Sequence, residues 1–443
     1  MKKVAGVFCR AGKGILLIGF SIQIILGLVW MCCNIIEGQK FGAPSGWLYP
    51  FLLRVVGDGV WILYLLQLGL AYYAARRFLA PLLPGGIFWR IWGSLALLTI
   101  PMALQCHMAA LPYSAVSSLF LLELCSCRKM FQGGNLVRET AAGAACWLIL
   151  WALLPEYGLF GAVPLVLTLL VQCGMRPGEG KRVVAGCLVV AAFGGILGGL
   201  QGLLPAPAGR KVTWEQALAS RFAWPNLWND SQAWPSDLAE AAGNCVWEAS
   251  ATPGQMEQIL FPVIDEAAGE VAGEFYVKMA QIAWQKDKTR IMKEIVWDVL
   301  GYGAAPAILQ LQLTARGYDS YSGRNYEIMF LHTPVLAKYY VAYACWWFVA
   351  ALGVGLLAGV AGCLEGRLGP GRGKLYFAGV CVVSAGGMIL AYTMRGAGMM
   401  DYKCTVSILE LWMAWVLSGM GVSDGGREDL GASCCSTGRS HEK

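Results

Sequence analysis

Ten stretches of this chain are apolar for long enough to leave water. They fall at roughly 14–34, 48–74, 88–110, 113–127, 139–155, 159–175, 183–204, 336–362, 375–394 and 403–422. About 20 apolar residues carry a helix across a bilayer, so most of these runs have the length of a span and 113–127, 139–155 and 159–175 are short. Those three are expected to be tilted, re-entrant or packed inside a bundle. A single water-soluble core cannot absorb so much oily side chain. Of 443 residues, 57% are hydrophobic and only 14% are charged, whereas soluble domains carry about 25% charged residues. A bilayer dissolves the excess, and in lipid the backbone must satisfy its own hydrogen bonds, as a helix does. The expected fold is an all-α integral membrane protein: a polytopic bundle of about ten transmembrane helices with one mainly helical extracytoplasmic domain.

The cations between the spans set an orientation. Loop 75–90 carries Arg76, Arg77 and Arg90; loop 128–138 carries Arg128, Lys129 and Arg138; loop 176–182 carries Arg176, Lys181 and Arg182; loop 363–374 carries Arg367, Arg372 and Lys374. The alternate connectors are poor in cations, with Lys40 in the first and Arg395 and Lys403 in the last. Basic connectors stay on the side where the chain is made. Both termini are therefore expected in the cytoplasm, with residues 205–335 outside the plasma membrane. The chain divides into an N-terminal transmembrane part of about seven spans at 1–204, an extracytoplasmic domain at 205–335, a C-terminal transmembrane part at 336–422, and a cytoplasmic tail at 423–443. The tail is Gly, Ser and charge, a composition that does not fold.

The net charge of +6 does not point to nucleic acid, because the cations sit in those short connectors. Within 206–335 there are 10 Lys and Arg against 15 Asp and Glu, which repels a polyanion. The lipid bilayer is the partner the composition demands. Met1-Lys2-Lys3, Arg10 and Lys13 precede the first apolar run, like a signal peptide, but no small-residue cleavage site follows Cys33, so it reads as an uncleaved span. Most of the 16 cysteines lie in apolar segments, among them Cys106, Cys146, Cys173, Cys187, Cys345, Cys363 and Cys381, where thiols pack as small hydrophobes. Neither Cys125-x-Cys127 nor Cys434-Cys435 has a matching second pair, and only three histidines are present. No metal centre and no cofactor is expected.

The segment 205–335 reads as helices. Thr213 with Gln216 has the spacing of a capping box, and Thr252, Pro253 and Gln255 form a second start signal. Apolar residues recur at helical spacing from Met256 to Ala267 and again from Phe275 through Met279, Ile282, Met292, Ile295 and Val296 to Val299, with Gly301 and Gly303 as a stop.

Candidate site residues are those whose burial in lipid would be costly, or whose clustering is unusual. Arg54 and Asp58 stand four apart in the second span, on one helix face, where they can pair or line an outward cavity. Glu410 sits between Leu409 and Leu411 in the last span and is either neutral or paired with a cation such as Arg54. Glu123 lies near Arg128 and is expected to snorkel to the inner surface. His107 reads as a hydrogen-bonded bystander. Trp224, Trp228 and Trp234, two of them before proline, offer flat faces to sugar rings or lipid headgroups. Arg316, Asp319, Arg324 and Glu327 form a polar cluster with tyrosines, suited to hydroxyl-rich or phosphate ligands.

Three classes of function fit this inventory. The first is an accessory protein of envelope or surface-polymer assembly, whose outer domain binds a surface polymer or another membrane protein. The second is an integral-membrane glycosyltransferase using a lipid-linked sugar, with Glu37 of the first outer connector as catalytic acid and Arg54 and Asp58 in the same cavity. That layout is an analogy only, and the acidic pair such enzymes carry there is reduced to Glu37 alone. The third is a transporter, which calls for broken spans and for Glu410 on a polar path.

Overall fold

A computed structural model describes residues 2–34, 48–57, 60–80, 87–100, 112–154, 158–175, 213–222, 261–286, 288–304 and 372–395, with scattered positions in 103–107, 178–195 and 339–353. Among these residues the fold is all-α, with no strand. The first part runs α1 (Lys2–Asn34), α2 (Leu48–Val56), α3 (Val60–Leu79), α4 (Ile87–Leu98), α5 (Tyr113–Phe131), α6 (Leu136–Leu153) and α7 (Gly158–Met175). The second runs α8 (Trp214–Phe222), α9 (Phe261–Ala268), a 3-10 turn at Gly269–Val271, α10 (Ala272–Lys286) and α11 (Lys288–Ala304). A last helix, α12 (Arg372–Arg395), returns to the first part. Two segments, Gly14–Cys32 and Leu136–Leu153, are long and apolar enough to cross a membrane, and shorter apolar helices lie at Ile87–Leu98, Gly161–Met175 and Tyr376–Leu390.

The outer faces of α1 and α3 are apolar, as is most of the core they cover. In α1, Ile15, Ile18, Ile22, Ile25 and Val29 recur every three or four residues on the exposed face. The opposite face buries Gly19, Gln23, Gly27 and Trp30. In α3, Trp61, Ile62, Leu65 and Leu66 point out while Gln67, Ala71, Ala75 and Phe78 point in. The interior holds Gln23, Gln67, Ser94, Thr99, His107, Ser114, Glu123, Arg128, Thr168, Gln172 and Ser384, all buried.

Named contacts fix the helix directions. Trp92 Nε1 donates to Ser21 Oγ at 2.9 Å, Gln23 Nε2 donates to the Ala96 carbonyl at 3.0 Å, and Gly27 meets Thr99, so α1 and α4 run parallel. The 339–353 stretch runs antiparallel to α1: Tyr340 stacks near Trp30 and donates to the Thr99 carbonyl, Tyr343 donates to the Gly19 carbonyl at 3.0 Å, and Trp347 meets Phe20 edge-on. Ala71 and Ala75 of α3 share a cavity with Ser117 and Leu121 of α5, and Phe78 meets Arg128, so α3 and α5 are parallel. Lys129 faces Glu139 at 3.7 Å and Thr140 donates to Met130 Sδ at 3.5 Å, so α5 and α6 form an antiparallel hairpin. Trp147 Nε1 donates to the Gly158 carbonyl at 2.7 Å and Leu165 meets Gly143, which makes α7 antiparallel to α6. Phe131 packs on Tyr376 and Phe377, and Arg128 lies in electrostatic reach of Cys381, so α12 is antiparallel to α5. These directions gather Arg76, Arg77, Arg128, Lys129 and Arg138 at one end of the bundle, with the start of α12. Gly186, just past the basic connector 176–182, packs on Thr140 near that same end.

Three expectations need correcting. Residues 48–74 are not one helix. Tyr49 accepts a hydrogen bond from Gln67 Nε2 at 3.2 Å across 18 residues, which a continuous helix would separate by roughly 27 Å. Gly57 instead takes φ +58, a left-handed conformation that favours glycine, and α2 folds back along α3. The third span also stops early, at Leu98, because Pro101 has no N–H to continue the ladder. The carbonyls around this break are taken up from other helices: Ala96 by Gln23 and Thr99 by Tyr340. Finally, the basic residues after Cys127 do not start a loop. α5 continues to Phe131, and Arg128 is only 4% exposed, donating from Nη1 to the Phe78 carbonyl at 2.6 Å and from Nη2 to that of Arg77 at 3.4 Å. It serves the open carbonyls at the end of α3.

The second part has the opposite polarity. The capping box at α8 is present: Gln216 N donates to Thr213 Oγ1 at 3.3 Å and Thr213 N to Gln216 Oε1 at 3.1 Å. Gln216 Nε2 also donates to Asp265, and the Tyr276 hydroxyl donates to Asp265 Oδ1 at 2.8 Å. Phe261, Ile264, Phe275, Tyr276 and Met279 are buried, while Glu266, Glu274, Lys278, Lys288 and Arg290 are exposed. The amphipathic stretch from Phe275 to Val299 is divided between α10 and α11, and α11 carries on through Gly301 and Gly303 to Ala304. α8 and α11 pack on α12, and Val299 reaches the bundle core. The second start signal at Thr252 and the tail 423–443 lie outside the described residues.

Candidate functional site

The centre of the bundle is α5. Fifteen of its nineteen residues are buried, yet its sequence YSAVSSLFLLELCSCRKMF is the most polar of the apolar helices. It tolerates this because α3, α6, α7 and α12 enclose it. Two of its faces carry polar groups, and each meets a different set of helices.

The first face looks toward α3 and the end of α4. His107 Nδ1 and Ser114 Oγ share a hydrogen bond of 2.7 Å, and Ser118 Oγ donates to the Ser114 carbonyl at 2.8 Å. Beside them is a cavity of about 10 Å³, lined by Ala71, Leu97, Ile100, His107, Ser117 and Ser118. That is room for one water. His107 is hydrogen-bonded and buried, as expected, and it stands where the third span has broken.

The second face looks the other way. At about 100° per residue, Glu123 and Cys127 lie across the helix from Ser114 and Ser118. Glu123 is 0% exposed and neither carboxyl oxygen has a hydrogen-bond partner. It does not snorkel. Arg128, five residues on, points about 140° away and is engaged with α3. Gly143 of α6 stands opposite: a Cβ there would come 3.1 Å from Leu165 Cδ1 and 3.9 Å from Glu123 Cγ. The missing side chain lets α6 close on α5.

Further unpartnered polar atoms surround this face. From α7, Thr168 lies beside the Cys127 thiol, and its hydroxyl makes no hydrogen bond of ordinary geometry. One turn along α7, the Gln172 amide is unpartnered at both nitrogen and oxygen. From α12, the Ser384 hydroxyl is likewise unpartnered, one turn from Cys381, which is in reach of Cys127. All three residues are 0% exposed. Since Leu165 is level with Glu123, Thr168 and Gln172 step from that carboxyl toward the cationic end, over roughly 10 Å. Buried polar groups are nearly always satisfied, so such a group of exceptions marks a site.

Of the residues singled out in the sequence, Arg54 is described: it lies in the last turn of α2 and is exposed. Glu37, Asp58, Trp224, Trp228, Trp234, Arg316, Asp319, Arg324, Glu327 and Glu410 lie outside the described residues. Among the described residues, no group of three or more His, Cys, Asp or Glu side chains is arranged to hold a metal. Sequence reasoning passed over Glu123 by attaching it to the nearest cation. The helix angle between positions 123 and 128 was the available signal, because five residues put two side chains on different faces. Comparison with protein-family models, curated proteins and solved structures gives no match to this chain.

Proposed function

We propose that this chain is a multi-pass plasma-membrane protein of the cell envelope, accessory to envelope or surface-polymer assembly. Its N-terminus and tail lie in the cytoplasm, and its helical domain at 205–335 works outside. One observation carries the membrane reading: Ile, Leu, Val and Trp line the outer faces of α1 and α3, while Gln, Ser, His and Glu side chains are held inside, among the apolar core. In water that arrangement would expose a large apolar patch; in lipid the same faces are solvated, and the bundle interior is where polar side chains find partners. The directions of the packed helices support the same topology. They alternate as the basic connectors require, with the cationic ends together. The packing of α8 and α11 on α12 supports a role for the outer domain as a fixed extension of the bundle.

An epitope inserted between Gly209 and Arg210 tests the placement. Antibody applied to intact cells should bind it, and should reach an epitope after Lys443 only after permeabilisation. The reverse pattern would overturn the topology.

A second reading, a transporter, is favoured by the two interrupted spans, at Gly57 between α2 and α3 and after Leu98 before Pro101. Discontinuous helices beside buried polar groups are a recurring feature of membrane transporters. Proton-coupled uptake that survives Glu410→Gln unchanged would argue against it.

A further inference from the structure

We propose that Glu123 is a reversible proton-binding site in the bundle interior, in exchange with water at the cationic end along the α7 face that carries Thr168 and Gln172. This rests on the membrane reading above and adds a titrating group to it. A carboxylate with no donor and no cation beside it cannot persist in a dry helix junction, since uncompensated burial of a charge costs far more than folding can supply. Among the described residues Glu123 is in that position: both oxygens are buried and unpartnered. Arg128 is committed to the α3 carbonyls. The titratable groups facing Glu123 are thiols, Cys127 on its own helix and Cys146 of α6, with Cys381 of α12 next to Cys127. α7 presents Thr168 and Gln172, and α12 presents Ser384, all uncharged.

A purely structural glutamic acid would spend its hydroxyl on a neighbouring acceptor. Here, among the described residues, the Ser384 hydroxyl and both ends of the Gln172 amide are unpartnered, and the Thr168 hydroxyl has only the Cys127 thiol beside it. Open donors and acceptors stepping toward one end are what water needs in order to enter. In the binding step an O–H bond forms at a Glu123 carboxylate oxygen, with the proton supplied by hydronium from the cationic side. In release that bond breaks and the proton returns to water. No other reactant is needed.

The test uses the full chain in native membranes. Dicyclohexylcarbodiimide, a lipid-soluble reagent, adds to carboxyl groups that hold a proton in apolar surroundings, and the adduct is located by mass spectrometry. The expected result is an adduct on Glu123, absent in Glu123→Gln, that falls several-fold as the medium is raised from about pH 6 to about pH 9. A water-soluble carbodiimide should leave Glu123 unmodified. Wild-type protein that stays in the membrane but carries no adduct at Glu123 would overturn the proposal. So would labelling that ignores pH, or labelling blocked by sodium at constant pH, which would assign a metal cation instead. Washing the same membranes with alkaline carbonate separates the two readings. Protein lost to the wash refutes the membrane assignment, whereas retained protein without the adduct refutes only the proton site. The wild-type readout holds even if Glu123→Gln misfolds.

Discussion

In α10, Ala272, Phe275, Tyr276, Met279, Ala280 and Ala283 are buried, and Glu274, Lys278, Gln281 and Gln285 face outward. In α1 the assignment is reversed, with Ile18, Ile22 and Ile25 outward and Gly19, Gln23 and Gly27 inward. Both are amphipathic helices with nearly the same spacing. What differs is which class of side chain faces out. Around α10, water removes apolar surface and drives Phe261 and Tyr276 together. Under the proposed membrane placement, lipid tails around α1 solvate isoleucine as well as a protein core does, so association depends on close approach and on hydrogen bonds between helices. Both regions use hydrogen bonds and aromatic packing. Gln23 on the Ala96 carbonyl, Trp92 on Ser21 and Phe20 against Trp92 join α1 to α4. Gln216 and Tyr276 on Asp265, with Phe261 against Tyr276 at 5.2 Å between ring centroids, join α8, α9 and α10.

The sharpest way to break this comparison is to add charge to both outward faces. Ile22→Lys with Ile25→Lys should raise the insertion free energy of α1 by about 3 kcal/mol per site and release the protein from carbonate-washed membranes. Gln281→Lys on α10 should change stability by less than about 0.5 kcal/mol. Equal effects would remove the distinction. Truncating the aromatic core comes next. Phe261→Ala should cost the outer domain about 3–5 kcal/mol, seen as rapid cleavage within 213–304 by limited proteolysis in detergent, while α1–α7 remain protected. Third, Gly143→Leu should force α6 away from Leu165 and Glu123 and lower stability by about 1–3 kcal/mol, read from thermal unfolding in detergent. The smallest effect is at the helix starts. Asn135 Oδ1 accepts from the Val137 and Arg138 amides, and Thr213 caps α8. Asn135→Ala and Thr213→Ala should each cost about 1 kcal/mol, by the same thermal assay.

Much of this architecture was legible in sequence. Helical content followed from the apolar runs, and the capping box at Thr213 and Gln216 formed as its spacing required. The relative directions of the packed helices are compatible with the basic connectors, and their placement across a membrane is the proposal made above. What was not legible is where a span breaks and where an ionisable group points. The apolar run through 48–74 hides the reversal at Gly57, because hydropathy does not register a change in φ. The run through 88–110 hides the stop at Pro101 for the same reason: proline is apolar enough to pass unnoticed, yet it removes a backbone donor. Arg128 looked like the first residue of a loop, since its partners are carbonyls from residues 77 and 78, about 50 positions away. Glu123 was misassigned because nearness in sequence stood in for nearness in space. Its neighbour Gly143 comes from a helix that sequence alone does not align with α5.

The claim beneath all of this is that the outward apolar faces of the bundle touch lipid. It is tested most directly by photolabelling membranes with a lipid-partitioning carbene precursor and mapping the adducts by mass spectrometry. The account predicts label on Ile18, Ile22, Ile25, Leu65, Leu66, Leu170, Val383 and Leu390, and none on α9, α10 or α11 except where α11 meets the bundle. Label spread evenly over both regions, or falling on Gln23, Gln67 and Gln172 in place of those residues, would contradict it.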